Sequence, residues 1–560
     1  MGLFVRKPLS LLLNEATESE KGLKKTLSSA GLVALGIGAI IGAGLFSLTG
    51  FAAANYAGPG IMISFIIAAV GCAFAGLCYA EFASMIPVAG SAYTYSYATM
   101  GEFIAWIIGW DLVLEYAVGA ATVASSWSGY LSKLLASFGV ALPPEMVMTP
   151  FDTATLASGE VVHGMLNLPA VFIVSIMSLI LIRGTSESAF VNSIIVILKV
   201  AIVLVFIAVG LKFVNPENLT PLVPANEGTF GAFGWSGIIR AAAVVFFAYI
   251  GFDAVSTAAQ EAKNPKKGMP IGILGSLAVC TVLYIIFAYV MTGVANYKVF
   301  GEGPAGSHLA PVAIAIEHMG HPGPDGTIVP AYPWLNTGII IAILLGYSSV
   351  ILVMLLGQSR VFYTMSRDGL LPSVFSQIGK HRTPYKSNLF FLVFVSLFAA
   401  FIPGRIVGEM TSIGTLFAFI LVCIGVLLMR KKIPDAPRAF RTPGVPLVPI
   451  LGVATCLFMM VFLPLDTWIR LIVWMIVGFD VYLYYGMNKS HLNKGVFTNR
   501  SYKTVSLTGL AMVVVLVIVA FLHHSLSEVP DMALFYFSLG FAALHAIIFL
   551  LSTSKGKKEM

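Results

Sequence analysis

Four ionisable side chains stand where the surrounding residues leave them little water. Lys199 lies inside the apolar run Val191–Phe213, about eleven residues, or roughly 17 Å of helical rise, from the end of its segment nearest the cytoplasm. A lysine stem is too short to carry its ammonium to water over that distance. An ammonium at the bilayer centre costs several kcal/mol, so such a residue is a functional candidate first. If it gives up and regains a proton there, it can replace a sodium ion as the coupling charge. If it stays charged, it is a fixed anchor for carbonyls of a neighbouring helix. Both readings turn it toward the bundle interior.

Glu115 is the second such charge, with Asp111 one turn before it on the same helix face. Either carboxylate can accept a coupling proton or pair with a basic substrate. The alternative is a carboxylate satisfied by Trp, Tyr and backbone donors. Asp253 can hold the tip of a cationic side chain, or it can cap a half-helix that begins beside it. Lys199 and Glu115 are taken as the proton-coupling pair.

These groups must be positioned by hydrophobic segments, and two of those segments are interrupted. One runs from about Ser28 to Gly58 and breaks at Ile40-Ile41-Gly42-Ala43-Gly44; the other runs from about Gly237 to Thr257 and breaks at Phe247-Ala248-Tyr249-Ile250-Gly251. Irregular backbone in lipid survives only where it lines a site. A matched pair of breaks points to a secondary transporter's binding site. Each break exposes carbonyls on one side and N–H groups on the other, with partial charges of about one half. An α-amino acid, ammonium beside carboxylate, fits that polarity. The N–H groups of Ala43 and Gly44 are expected to face the anion, and the carbonyls of Ile40, Phe247, Ala248 and Ile250 the cation. Alternatively Gly38, Gly42 and Gly44 form a small-residue helix-packing face.

The composition sets the class. Of 560 residues, 58% are hydrophobic and 11% charged, with mean hydropathy +0.91. That is an all-α polytopic membrane protein. Fourteen spans are read, approximately 28–58, 61–84, 101–122, 168–183, 188–213, 237–260, 271–295, 334–361, 388–403, 411–429, 446–464, 467–486, 504–522 and 532–551. Alternating the loops places 26 of the 33 Lys and Arg on one side, which puts both termini in the cytoplasm. The net charge of +7 is therefore topology, and no nucleic-acid partner is expected. Residues 1–27 form a cytoplasmic tail with no signal peptide expected. Residues 28–213 and 237–430 form two five-helix repeats of opposite orientation, 446–486 and 504–551 two appended helix pairs, and 552–560 a cytoplasmic tail. Val123–Phe138 either extends the third span or forms an external amphipathic helix, and residues 296–333 make an external cap.

Other chemistries are disfavoured. The five cysteines lie in apolar segments without CxxC spacing. The nine histidines largely avoid the first ten spans, and no Gly-Lys-Ser/Thr loop is present to bind a nucleotide. No metal, no sodium site and no cofactor is expected, and no nucleophile–base constellation suggests an enzyme.

Gly36-Ile37-Gly38-Ala39-Ile40-Ile41-Gly42-Ala43-Gly44-Leu45-Phe46, Ile86-Pro87-Val88-Ala89-Gly90-Ser91-Ala92-Tyr93, Gly109-Trp110 through Leu114-Glu115-Tyr116, and Phe246-Phe247-Ala248-Tyr249-Ile250-Gly251-Phe252-Asp253 resemble the amino acid–polyamine–organocation superfamily. So do Asn264-Pro265, Pro270-Ile271-Gly272-Ile273 and Ser366-Arg367-Asp368-Gly369-Leu370-Leu371-Pro372. Within it the chain is most similar to the cationic amino acid transporter family, including its bacterial proton-coupled symporters, over roughly residues 25–486. The resemblance implies the leucine-transporter fold, a 5+5 inverted repeat, here with four extra C-terminal helices. It implies that Lys199 stands in a sodium ion's place near the Ile41 carbonyl, that Glu115 is the family's third-helix glutamate, and that Met354 or Leu355 sets pocket size. Ala43 departs from the Thr or Ser often found there, removing one hydroxyl contact.

The expected function is import of amino acids across the plasma (inner) membrane, in a bacterial setting, by proton-coupled symport. The expected partners are an amino acid substrate and the lipid bilayer, and the working unit a monomer or a complex with a small accessory membrane subunit. The alternatives are an exchanger or facilitator for cationic amino acids or polyamines, and a membrane sensor that binds without transport.

Overall fold

The computed structural model describes residues 2–8, 11–12, 27–86, 91–155, 160–184, 188–257, 259, 262–301, 310–322, 328–380, 383–493, 499–526 and 531–555. Lipid offers the backbone no hydrogen bonds, so each apolar segment satisfies its own as a helix. Among the described residues ten helical stretches are long and apolar enough to cross a membrane, and four shorter apolar helices accompany them. The chain is an all-α polytopic membrane protein.

Helix α1 (Ser29–Ile40) starts on Ser28, whose hydroxyl accepts the Gly31 N–H at 3.2 Å, and stops where Ile41 turns extended. Helical winding resumes over 44–57, with π turns at Gly44–Leu48 and Ala53–Ala57. Then come α2 (Ile61–Met85), the short α3 (Ser91–Thr99) and α4 (Glu102–Val113). A π turn at Leu114–Val118 joins α4 to α5 (Gly119–Ser137) without a break. The segment 123–138 therefore extends the third span, and the external amphipathic helix is excluded. Helices α6 (Leu168–Arg183) and α7 (Ser188–Gly210) complete the first set.

The second interrupted segment is α8 (Gly234–Val245), a 3₁₀ turn at Phe246–Tyr249, the left-handed Gly251 (φ 111°) and α9 (Ala254–Thr257). It is followed by α10 (Pro265–Val294), α11 (Pro311–Glu317), α12 (Pro333–Arg367), α13 (Tyr385–Phe401) and α14 (Gly404–Lys432). Helices α15 (Leu447–Phe462) and α16 (Leu465–Val481), the latter continuing to Lys489, precede a last hairpin of α17 (Asn499–Leu526) and α18 (Met532–Lys555). The expected cap at 296–333 contains α11 and a small antiparallel hairpin, Gly320–Pro322 with Ile328–Pro330; residues 302–309 and 323–327 lie outside the described residues.

Burial separates centre from rim. The most apolar windows of Glu102–Ser137 and Gly234–Ser256 are 94% and 83% buried, against 33% for Arg500–Leu526 and 28% for Met532–Thr553. The interrupted segment and the third span are thus the protein's interior, while the last hairpin leaves most of its surface exposed.

Candidate functional site

The two breaks meet. A Cβ at Gly44 would lie 2.2 Å from the Ala248 Cα, and one at Gly251 would lie 2.8 Å from the Ala39 carbonyl oxygen. Only glycine allows two backbones to approach so closely. Gly38 packs on Val196 in the same manner, so the glycines serve helix packing and the break at once. Past the first break, Leu45 and Phe46 both donate to the Gly42 carbonyl at 3.2 Å. The N–H groups of Ala43 and Gly44 therefore precede the helical ladder.

The carbonyls are less free than the sequence implies. The Tyr284 hydroxyl on α10 lies 3.0 Å from the Ile40 carbonyl and 2.9 Å from the Ala248 carbonyl. Having one proton, it satisfies one of them fully at a time. The Phe247 carbonyl accepts the Ile250 N–H at 3.2 Å. Nothing in the sequence singled out Tyr284, because a tyrosine in an apolar helix reads as core.

Lys199 is buried, and its Nζ donates to the Gly38 carbonyl at 2.7 Å. The carbonyl it bonds is thus that of Gly38, three residues before the Ile41 carbonyl near which the resemblance placed it. The carbonyl of Ile37 is taken by the Ile41 N–H at 2.9 Å, whereas the helical partner of Gly38 would be Gly42, beyond the break. Gly38 thus offers an acceptor to the ammonium. The lysine stem runs along α12, where a Cβ at Gly346 would stand 3.1 Å from its Cε. Among the described residues no carboxylate forms an ion pair with it.

The carboxylates gather on the other side of the second break. Asp253 accepts hydrogen bonds from the Tyr116 hydroxyl and from the Ser91 hydroxyl at 3.5 Å, while the Ala254 N–H donates to the Gly251 carbonyl at 3.1 Å. Asp253 stands just before α9 without capping it, because the first amides there go to the carbonyls of Gly251, Phe252 and Asp253, and its Oδ1 has no hydrogen-bond donor among the described residues. Glu115, inside the π turn, is an electrostatic neighbour of Asp253. No donor from Trp, Tyr or backbone reaches its oxygens among the described residues. Asp111 and the amide of Gln358 are likewise buried without a described partner. A buried polar atom without a partner implies water or ligand. Met354 packs over Gly119, as Thr411 does, and its neighbour Leu355 is also buried.

The charges at the helix ends behave differently. Glu81 accepts the Nε and Nη2 of Arg430, each at 2.8 Å, Arg438 at 3.1 Å and the Thr442 N–H at 2.8 Å. Asp368 accepts Lys7 and Tyr93, each at 2.7 Å. Glu261, also read as an end charge, lies outside the described residues. Among the described residues no group of His, Cys, Asp and Glu is arranged to hold a metal ion.

The amino acid permease family model matches residues 27–481. The chain is 44% identical over 493 residues to the branched-chain amino acid permease BcaP of Bacillus subtilis, covering 88% of this chain and 99% of that protein. It is 42% identical, with the same coverage, to the methylthioribose transporter of the same organism. It is 37% identical over 414 residues to the vacuolar cationic amino acid transporter 4 of Arabidopsis thaliana, covering 74% of this chain and 64% of that protein.

Proposed function

The chain belongs to the amino acid permease family and transports amino acids as a multi-pass protein of the plasma membrane, and we propose that it imports them by proton-coupled symport, with alternating access around the two breaks. The observation that carries this reading is the Lys199 ammonium seated on the Gly38 carbonyl at the first break. A cation is needed there to answer the half-charge of the helix end, and a lysine supplies it while being able to lose a proton. Loss of that proton removes the charge that answers the helix end and weakens the hold on the Gly38 carbonyl, so substrate occupancy and proton occupancy are linked. Glu115 and Asp253 form the second proton store, because one proton between them turns a repulsion into a hydrogen bond. Fourteen spans with both termini in the cytoplasm, and a monomer alone or with a small accessory subunit, complete the reading.

The substrate's ammonium and carboxylate meet the backbone of Ile40, Ala43, Gly44, Phe247, Ala248 and Ile250, and its side chain meets Met354 and its neighbours. Branched-chain amino acids and methylthioribose, named for the two Bacillus relatives, are the first substrates to test. In proteoliposomes under an imposed inward pH gradient, the wild type accumulates leucine or methylthioribose, and Lys199→Ala does not. Accumulation that ignores the gradient, with Lys199→Ala matching wild type, removes the proposal. One observation favours a second reading: Asp111, Glu115 and Asp253 have no basic partner among the described residues, as a site for a cationic side chain would require. Arginine or polyamine exchange without any response to pH would select it.

A further inference from the structure

Two left-handed glycines mark the end of the bundle where residues 2–8 and 486–493 lie. Gly101 (φ 103°) precedes α4, and a Cβ there would stand 2.5 Å from the Phe4 backbone; Gly369 (φ 83°) follows α12, and a Cβ there would stand 2.3 Å from the Lys489 carbonyl oxygen. Any other residue at these positions is strained and also lifts the chain lying over it. Each glycine is a groove for a passing segment. Both segments fall outside 27–481, the part matched by the family model.

Polar groups fasten the same two segments. Lys7 binds Asp368 through its ammonium and the Tyr97 carbonyl through its N–H at 3.1 Å, while the Glu102 N–H donates to the Val5 carbonyl at 3.1 Å. From the other flank, the His491 N–H donates to the Asp368 carbonyl at 3.0 Å. The buried carboxylate of Glu102 accepts Tyr97 at 2.8 Å, Tyr482 at 3.1 Å, Ser490 at 2.6 Å and Asn493 at 2.8 Å. Helix α3 carries these contacts to the transport site: its Ser91 touches Asp253 at the second break, its Tyr93 touches Asp368, and its Tyr97 touches Glu102. The last hairpin braces the arrangement through Asp480 to His545 at 3.0 Å and Tyr484 to Ser552 at 3.1 Å.

We infer that residues 2–8 and 482–493 form a two-sided clasp that holds the cytoplasmic end of the transport pathway closed, with Glu102 and Asp368 as its fixed points. The orientation rests on the proposed topology; the clasp itself rests on the contacts. Parting α3 from the ends of α4 and α12 requires breaking hydrogen bonds to both carboxylates, which makes the closed state discrete. Unclasping frees Ser91 and so alters the partners of Asp253.

The test needs no substrate. Ala98 is buried beside Arg6, Lys7 and Met429 under the first segment, so Ala98→Cys reports its departure to a membrane-impermeant maleimide applied to inside-out vesicles. Labelling is slow in that background and rises about tenfold when Lys7→Gln or Ser490→Ala/Asn493→Leu is added, the population shift expected from losing a hydrogen bond to a charged group. Lys7→Arg keeps the protection. An unchanged rate overturns the clasp, and so does a general rise that includes the buried Cys72 and Cys456, which indicates unfolding. Labelling in intact cells instead of inside-out vesicles keeps the clasp and overturns the proposed orientation.

Discussion

Glu81 and Glu115 are both buried glutamates of an apolar bundle, and their surroundings are opposite. Glu81, at the end of α2, collects two guanidinium groups and a backbone N–H. Glu115, at the middle of the third span, has a second carboxylate before it and no donor among the described residues. The same contrast holds between Glu102, with four side-chain donors, and Asp111, with none described. A carboxylate given every hydrogen bond it can accept fixes one structure. One deprived of donors in low dielectric must find a proton, water or ligand. The saturated acids hold helix ends together, and the deprived Glu115 lies beside Asp253 at the second break.

The contrast is sharpest in stability. Glu81→Ala strands Arg438 and part of Arg430 without their anion, and the expected loss is about 3–5 kcal/mol, seen as a lower melting temperature in detergent. Glu115→Gln removes a charge that nothing stabilises, so its melting temperature stays at or above that of wild type. Its proton-driven uptake falls about a hundredfold, the usual worth of a positioned proton-transfer group. Comparable melting losses for the two variants would break the distinction. Tyr284→Phe leaves the carbonyls of Ile40 and Ala248 to each other's field, at a cost of about 1 kcal/mol and a several-fold rise in the half-saturating substrate concentration. Gly346→Ala is the mildest, because the lysine stem need move only by tenths of an ångström. It reduces uptake without changing the melting temperature, and equal uptake would show that the Lys199 contact tolerates displacement.

Much of this was legible in the chain. Glycines between apolar runs located both breaks, since a glycine that cannot be replaced marks a close backbone approach. Lys199, Glu115 and Asp253 were conspicuous because charge is rare in these segments. The choice of Gly38 over Ile41 as the lysine's acceptor was not legible. It depends on which carbonyl loses its helical partner, and that is set by where the helix stops, a matter of one residue. Tyr284 was invisible because its hydroxyl matters only once α10 is laid across both breaks. The reach of Val123–Phe138 was open because a helix continuing out of a bundle and one lying beside it share one pattern.

The sequence by itself determined that this chain is a helical membrane protein, where its helices fail, and which charges they bury. Those properties are local: hydropathy, glycine and the cost of a charge in lipid act residue by residue. Tertiary structure alone decided which buried acids are saturated and which are deprived, and that one flanking segment lies over Gly101 and the other over Gly369. Such partners are separated by up to several hundred residues, as Ser490 is from Glu102, and no local pattern encodes a pairing at that range.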